Sequence, residues 1–454
     1  MQNDSVKLKE LAALIKPYAE LYAVGGYVRD GLLGCESYDL DICSKLRVEE
    51  VKNILLNTDF AVLDRNLRMG TVIVVSDGFK AEYTTFRTDS YDITSGNHAP
   101  EKVKFTSDIR EDALRRDFRC NAVYLDISSG ETVDPLGGRD DIKNKILVTA
   151  DEPEKVFEAD GLRVLRLVRF ASELGFDIDK RTVDVARKNA WRVKDISAER
   201  VRDELCKIFV ADTAHPSLNL KCAHLKGFEL LDELGLIDLL LPELASLKGL
   251  EQNRKYHIFD AYRHSVKAFE IAPPHLRWVA LLHDVGKRQA YVINNCENMH
   301  GHDGIGADMA DGVFKRLKFS NDKRRRAVNL IRKHMVDIKG DTSFNKLRRF
   351  AVENSGIMDD LCALKDVDAE ASCGYKPCVN RVRDAWEEVK RDGTPLSIGD
   401  LSIDGRDVAK LGAEGEEIGR ILNDLFCDTV LNPALNNRQS AYEYAKRKCE
   451  KIKK

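Results

Sequence analysis

The sequence predicts an α+β protein, a small mixed β-sheet at the amino-terminal end followed by an all-α remainder, and three observations carry that expectation. Residues 1–150 alternate strand-like and helix-like runs, punctuated by glycine-bearing turns at Gly25-Gly26, Ser76-Asp77-Gly78 and Gly137-Gly138. From Glu158 to about Glu243 the apolar residues switch to helical spacing (Leu162, Leu165, Val168, then Val201, Leu205, Ile208) and strand signals vanish. A second helical block, from about Glu251 to Gly374, holds seven of the ten histidines, a clustering that points to metal.

Length and composition bound the rest. A chain of 454 residues is expected to form two to four domains, each with ample apolar surface for a core. The boundaries read as 1–150, 151–245, 246–375 and 376–454. Lys and Arg (72) nearly balance Asp and Glu (75), so any polyanion must meet a local patch rather than a basic surface. Eleven scattered cysteines, with only the loose pair Cys373 and Cys378, fit reduced thiols better than a disulfide frame or zinc knuckle. With no apolar run of about 18 residues and a charged amphipathic start, the expectation is a cytoplasmic protein with no membrane association.

Taken in order, LYAVGGYVRDGLLG runs from a strand (Leu21 to Val24) through Gly25-Gly26 into a helix, a setting in which backbone N–H groups face an anion. The stretch SYDLDICS reads as an alternating strand that projects Asp39 and Asp41 from one face. Two like charges so placed call for cations, and beside a phosphate cradle they can hold two Mg2+ ions. TVIVV and KAEYTTFR read as a hairpin whose second strand offers Glu82 as a third carboxylate. In EDALRRDFRCNAVYLD, Arg115 and Arg116 can grip a triphosphate while Asp117 and Asn121 bond the ribose hydroxyls. Each of these has a bland reading when taken alone: a plain turn, a turn-capping Asp, an exposed strand Glu, a solvated charge run.

Asp160 and Arg163 are placed i and i+3 on a helix, so that a carboxylate and a guanidinium emerge together and can read a base edge or merely pair. Arg166 and Arg169 continue that flank toward a triphosphate. The polar segment from Arg87 to Glu111 is long for a loop and reads as a functional element. Farther on, His264, the pair His283-Asp284, His302, His334 and Asp368 can converge on a divalent metal, with His257 and His300 as outlying candidates. Beyond Gly393-Thr394-Pro395, the tail reads as a few short helices ending in AKRKCEKIKK.

The ordered set GGYVRDGLLG, Asp39-x-Asp41, RRDFRCNA, DPLGG (Asp134 to Gly138) and DGLRVLRLVRF (Asp160 to Phe170) resembles the class II tRNA nucleotidyltransferases, the CCA-adding enzymes, and their relatives the bacterial poly(A) polymerases. The resemblance implies a nucleotidyltransferase head of the DNA polymerase beta superfamily type, with Asp39 and Asp41 holding catalytic Mg2+. It implies that Gly25, Gly26, Arg29, Arg116 and the later arginines meet CTP and ATP, and that a tRNA 3′ end is the partner, with no protein partner. Asp160 and Arg163 match the family's base-selecting motif, although its Glu falls on Ala159 and its usual Thr falls on Arg119. Glu199, Arg200, Glu204 and Lys207 match its bracing neck segment, and the Arg87–Glu111 stretch matches the flexible loop of full CCA-adding members.

LRWVALLHDVGK resembles the HD phosphohydrolase signature, which implies a divalent transition metal and metal-dependent phosphate hydrolysis, while the tail resembles the family's carboxy-terminal tRNA-binding body. The leading expectation is therefore addition of C, C and A to tRNA. Poly(A) polymerisation, restricted CC or A addition, and HD hydrolysis with a merely RNA-docking head are the alternatives.

Overall fold

Alternation decides the sheet. In TVIVVS and FKAEYTT every second side chain is buried, apolar at Val72, Val74, Phe79, Ala81 and Tyr83, and the two-residue turn between them places both Asp77 (φ 29°) and Gly78 (φ 80°) in the left-handed region that a tight hairpin requires. The computed structural model describes residues 2–37, 39–90, 102–254, 257–372 and 377–452. Its strands are β1 (Tyr22–Val24), β2 (Asp41–Ser44), β3 (Ala61–Asn66), β4 (Thr71–Ser76), β5 (Phe79–Thr85), β6 (Arg87–Ser90), β7 (Lys102–Phe105), β8 (Tyr124–Asp126) and β9 (Thr132–Val133). Seven of them form one mixed sheet in the order β3-β4-β5-β2-β1-β8-β9, in which only the β2/β5 pairing is parallel. The helices Gln2–Ile15 and Val48–Leu55 bury Leu11, Ile15 and Val51, all fully enclosed.

The expected loop from Arg87 to Glu111 is flanked by structure, since β6 and β7 pair antiparallel from Arg87↔Phe105 to Ser90↔Lys102. Its residues 91–101 lie outside the described residues. Beyond the sheet the chain is helical, apart from the two-residue ladder joining Ile146–Leu147 to Asp177–Ile178, a strand that apolar spacing could not reveal. The tail corrects the expectation of short helices: Glu416–Leu431 and Arg438–Ile452 run 16 and 15 residues and share a core of Ile421, Leu425, Ala441 and Ala445. The loose Cys373 and Cys378 pair lies outside the side chains described, and none of the nine other cysteines forms a disulfide. No helix among the described residues is long and apolar enough to cross a membrane.

The chain divides into two compact units, residues 1–242 with 316–318, and residues 243–315 with 319–454. The sheet and the first run of helices make up the former. In the latter, the backbone after His283-Asp284 passes so close to the helix His302–Arg316 that a side chain on Gly286 would meet His302 O at 2.2 Å and Gly306 N at 2.4 Å. This contact brings His302 toward Asp284. Gly286→Ala should therefore cost roughly 1–3 kcal/mol of stability, whereas Gly312→Ala, in open space on the same helix, should gain about 0.5–1 kcal/mol. Urea unfolding of both variants, which should move in opposite directions, checks the close approach.

Candidate functional site

Sheet pairing builds a row of carboxylates. Asp41 is in register with Glu82 across the parallel β2/β5 pair, so both side chains leave the same face. Asp39 does not lie on the strand as expected, since β2 begins at Asp41, yet the ladder extends toward it through Glu82 N donating to Leu40 O at 2.9 Å. Asp39 is exposed, two residues from Asp41, and its charge is felt at the Asp41 carboxyl. Burial, with Asp39 and Glu82 close by, pushes the Asp41 carboxyl up to about 6. Such a row is one that cations stabilise.

On the other side of Asp41, Val24 is its register partner and Gly25 follows with φ 77°. A side chain at Gly25 would come within 3.3 Å of Asp41 Oδ2 and 4.0 Å of Arg116 Nη1, so the missing Cβ leaves a cradle bounded by a carboxylate and a guanidinium. Arg116 donates to Asp112 Oδ2 at 3.1 Å and to the Tyr124 hydroxyl at 3.2 Å, while Arg115 donates to Asp112 Oδ1 at 2.7 Å. Burial opposes a charge on Asp112, but the two arginines and Tyr124 outweigh it and hold its carboxyl below the usual range. Sequence reasoning missed Asp112. Its signal was there, because it stands three and four residues ahead of Arg115 and Arg116 at the end of the helix Ile109–Leu114.

Asp117 and Asn121 do not stand open for a ribose. Asp117 Oδ2 accepts from Arg166 Nε at 2.8 Å and Nη2 at 2.5 Å, Asp117 Oδ1 accepts from Asn121 Nδ2 at 3.0 Å, and Asn121 Oδ1 accepts from Arg29 Nη1 at 2.8 Å. The chain Arg29–Asn121–Asp117–Arg166 ties the helix Gly26–Leu32 to the helix Leu162–Glu173. Burial alone would raise the Asp117 carboxyl, yet Arg166 and Asn121 outweigh it and hold it well below the usual carboxylate range.

Asp160 is also placed differently from expectation. It sits in the break between Pro153–Ala159 and Leu162–Glu173, where its Oδ1 accepts from Leu162 N at 3.0 Å, and so shares no helix with Arg163. Gly161 permits the break, because a side chain there would meet the Arg192 backbone at 2.9 Å. Asp160 Oδ2 pairs with Arg200 Nη2 at 2.8 Å, and Arg163 donates to Arg115 O at 2.7 Å and Val156 O at 3.3 Å. Arg169 is buried between Glu204 Oε2 at 2.6 Å and Glu173 Oε2 at 2.8 Å, so its guanidinium is engaged by two carboxylates. Glu204 thus braces this region as expected, while Glu199 and Lys207 are exposed.

The histidine cluster converges as a set. His264, His283 and Asp284 hold ligand atoms all within 4.8 Å of one another, and so do Asp284, His302 and His334, which makes Asp284 common to both groups. Asp368 Oδ1 lies 3.1 Å from His264 Nε2 and 3.8 Å from His283 Nε2. The Nδ1 atoms of His283, His302 and His334 contact the carbonyls of Ala280 (2.7 Å), Met299 (2.9 Å) and Ile331 (2.6 Å). A carbonyl only accepts, so Nδ1 carries the proton and Nε2 is the atom turned to the cluster. His302 Nε2 and His334 Nε2 are buried without a hydrogen bond, a donor set that fits a divalent metal. Burial opposes a charge on His283, yet Asp284 and Asp368 overcome it and push it up to about 10, so the cluster draws positive charge. Lys287, missed from sequence, lies 2.5 Å from Asp284 Oδ2 and donates to Gln252 Oε1 at 2.6 Å. His257 meets the His264 ring edge-on at 5.1 Å, while His300 is exposed and its carbonyl binds Asn294.

Comparison with known proteins matches residues 21–148 to the Poly A polymerase head domain, 175–248 to the probable RNA and SrmB-binding site of polymerase A, and 254–371 to the HD domain. An A-adding tRNA nucleotidyltransferase of Deinococcus radiodurans is 32% identical over 360 residues, covering 73% of this chain and 78% of that one. A CC-adding tRNA nucleotidyltransferase of Thermus thermophilus is 30% identical over 90% of this chain and 89% of its own. A CCA-adding enzyme of Lactobacillus helveticus is 40% identical over 189 residues, 42% of this chain and 46% of that protein, so this match spans less than half of it. The crystal structure of the Bacillus stearothermophilus CCA-adding enzyme in complex with CTP shares the fold, with a TM-score of 0.64 at 24% identity over 99% of this chain and 98% of that one.

The buried Asp117 and Arg166 pair generates a pH dependence. Because the Asp117 carboxyl is depressed in the folded protein, its contribution is present above about pH 4, the unfolded value, and is lost as pH falls toward the folded one. Asp117→Asn should lower stability by roughly 3–5 kcal/mol at pH 7 by leaving Arg166 without its buried partner. The same variant should flatten the acid limb. Urea midpoints from pH 7 down to about pH 3 check both signs.

Proposed function

From the premise that this chain belongs to the tRNA nucleotidyltransferase family, we propose that it extends the 3′ end of tRNA by C, C and A, taking CTP and ATP in turn. The observation that carries this reading is the carboxylate row Asp41–Glu82, in register on neighbouring strands, with the Gly25 cradle directly beside it. Asp39, Asp41 and Glu82 would hold Mg2+. When bound, these ions lower the cost of forming the attacking alkoxide and stabilise the departing pyrophosphate.

The chain's own residues do the rest. Gly25 and Gly26 let triphosphate oxygens come close to the backbone beside Asp41, and Arg116, aimed by Asp112 and Tyr124, supplies the positive wall of that cradle. The RNA 3′-hydroxyl oxygen attacks the α-phosphorus, a phosphodiester forms, and the bond to pyrophosphate breaks with the electron pair passing to the leaving oxygen. Asp117, Asn121 and Arg166 act behind the cradle, locking the helix of Arg163 to the head. Asp160 and Arg163 choose between cytosine and adenine, and full CCA addition is supported by their presence together with the long segment between Arg87 and Glu111.

In this reading residues 1–150 form the nucleotidyltransferase head, 151–245 the base-reading neck, 246–375 the HD domain and 376–454 a tRNA-binding tail. A second activity is favoured by the convergent histidines. A divalent transition metal held by His264, His283, Asp284, His302, His334 and Asp368 would support hydrolysis of a phosphate ester.

The test uses tRNA transcripts ending before the tail, after C and after CC, each incubated with a single labelled nucleotide. CTP should extend the first two and ATP only the third. Extension of the third transcript alone, or a halt after CC, would assign restricted addition instead. In the same assay Asp41→Ala should lower incorporation by several orders of magnitude while sparing any phosphate release by the HD centre, and His283→Ala should do the reverse. Arg163→Ala should relax the choice between CTP and ATP by about 1–3 kcal/mol per lost contact. A uniform slowdown with unchanged base choice would make Arg163 a structural tie.

A further inference from the structure

Edge strand β3 carries an irregularity that its position in the sheet makes informative. Asp64 pairs with Val72 and Asn66 with Thr71, so the register shifts between them and Arg65 is the extra, unpaired residue of a β-bulge. Here the guanidinium passes over β4 and its Nη1 bonds Glu82 Oε2 on β5, the residue in register with Asp41. The Arg65 side chain remains 53% exposed, so donors beyond that one bond face solvent along the rim of the carboxylate row.

The two sides of Asp41 are chemically different. On the β1 side are the Gly25 cradle and Arg116, which suit a triphosphate. On the β5 side are Glu82 and Arg65. In-line displacement at phosphorus requires the attacking oxygen and the leaving oxygen to lie on opposite sides of the reacting centre. If pyrophosphate leaves toward the cradle, the attacking 3′-hydroxyl must arrive from the β5 side, and with it the last phosphodiester of the RNA strand.

We infer that Arg65 binds the terminal backbone phosphate of the RNA acceptor and so positions its 3′-hydroxyl over the Asp41–Glu82 row. The inference rests on the polymerase reading of that row. Leu63, Ile73 and Glu82 share a face through the β3/β4/β5 registers, so alternation along β3 puts Arg65 on that face too, and the bulge leaves its side chain there, bonded to Glu82. The inference explains why a guanidinium stands among carboxylates meant for cations: it approaches Glu82 from the strand side with one nitrogen, leaving the opposite nitrogen to meet a phosphate that would otherwise be repelled by three carboxylates.

The experiment measures binding of a fluorescently labelled tRNA transcript ending in CC to the full-length protein in EDTA, across a range of salt, for the wild type, Arg65→Ala and Arg65→Lys. Arg65→Ala should weaken binding about tenfold, the size of one charge-assisted hydrogen bond. It should reduce the slope of log affinity against log salt by roughly 0.7–1, the signature of one lost phosphate contact. Arg65→Lys should recover the salt slope. In turnover, KM for tRNA should rise with KM for ATP unchanged, and an unchanged melting temperature confirms the fold. Wild-type affinity and slope in Arg65→Ala would overturn the inference and leave Arg65 as a counter-ion of Glu82. A raised KM for ATP with normal tRNA binding would overturn it by placing Arg65 on the pyrophosphate side. A wild-type protein that binds the transcript yet adds no nucleotide would instead defeat the polymerase reading, leaving the binding comparison to judge Arg65 on its own.

Discussion

Carboxylates set side by side on neighbouring strands repel, and much of the amino-terminal unit is arranged around that repulsion. The β2/β5 register forces Asp41 and Glu82 together, and Asp39 adds a third charge two residues away. Burial raises the Asp41 carboxyl further. A fold that only sought stability would break this row, because each like pair in a low-dielectric pocket works against the folded state. The sheet keeps the row and sets cations beside it: Arg116, anchored on Asp112 and Tyr124, and Arg65, bonded to Glu82 itself. These arginines approach from the walls and leave the centre of the row open. The same logic explains Gly25, where any side chain would crowd Asp41 Oδ2 and fill the space between that carboxylate and Arg116.

The histidine centre solves a related problem with different means. Asp284 is buried with neighbours that are mostly imidazoles, and three of those rings are fixed in one orientation by carbonyl groups of their own turns. Fixing Nδ1 this way is cheap in sequence terms, since each carbonyl lies three residues upstream of its histidine. It predetermines which nitrogen faces Asp284 before any metal arrives, so little reorganisation remains on binding. Gly286 completes the arrangement, because the close backbone approach it allows is what carries His302 into reach of Asp284 at 3.2 Å.

Legibility in the sequence followed the range of the interaction. The hairpin of β4 and β5 and the Gly25 turn were readable because period-two alternation and glycine at a left-handed position are local rules, whereas the strand expected to carry both aspartates begins only at Asp41. The histidine set was readable by residue type and order. What escaped were the internal pairings. Asp117 and Asn121 looked available for a ribose, yet Arg166, 49 residues away, and Arg29, 92 residues away, use them. Arg169 looked like a continuation of a phosphate-facing flank, but helical geometry turns it to Glu173 and Glu204. No local signal distinguishes a guanidinium destined for a ligand from one destined for a buried carboxylate, because both obey the same spacing. The bulge at Arg65 was equally silent, since it arises from how β3 is paired rather than from any residue that demands it.

The break at Asp160 shows how one substitution redistributes a task. A glutamate at position 159 would bring a carboxylate next to Arg163, whereas Ala159 brings none. Arg163 is held instead by two carbonyls, one of them Arg115 O in the head, and Asp160 by Arg200 from the helix Ala198–Ile208. Arg163 and Asp160 are therefore fastened to two different elements. A carbonyl holds a guanidinium with less directional strength than a carboxylate does, so the orientation of Arg163 depends on the head and the helix staying in register through Asp117 and Arg166. The contacts of Arg163 and the head-to-helix lock thereby become one mechanical unit. Any motion that shifts Leu162–Glu173 relative to the sheet acts on Arg163 and, through Asp117 and Asn121, on Arg29 in the helix that follows the Gly25 turn.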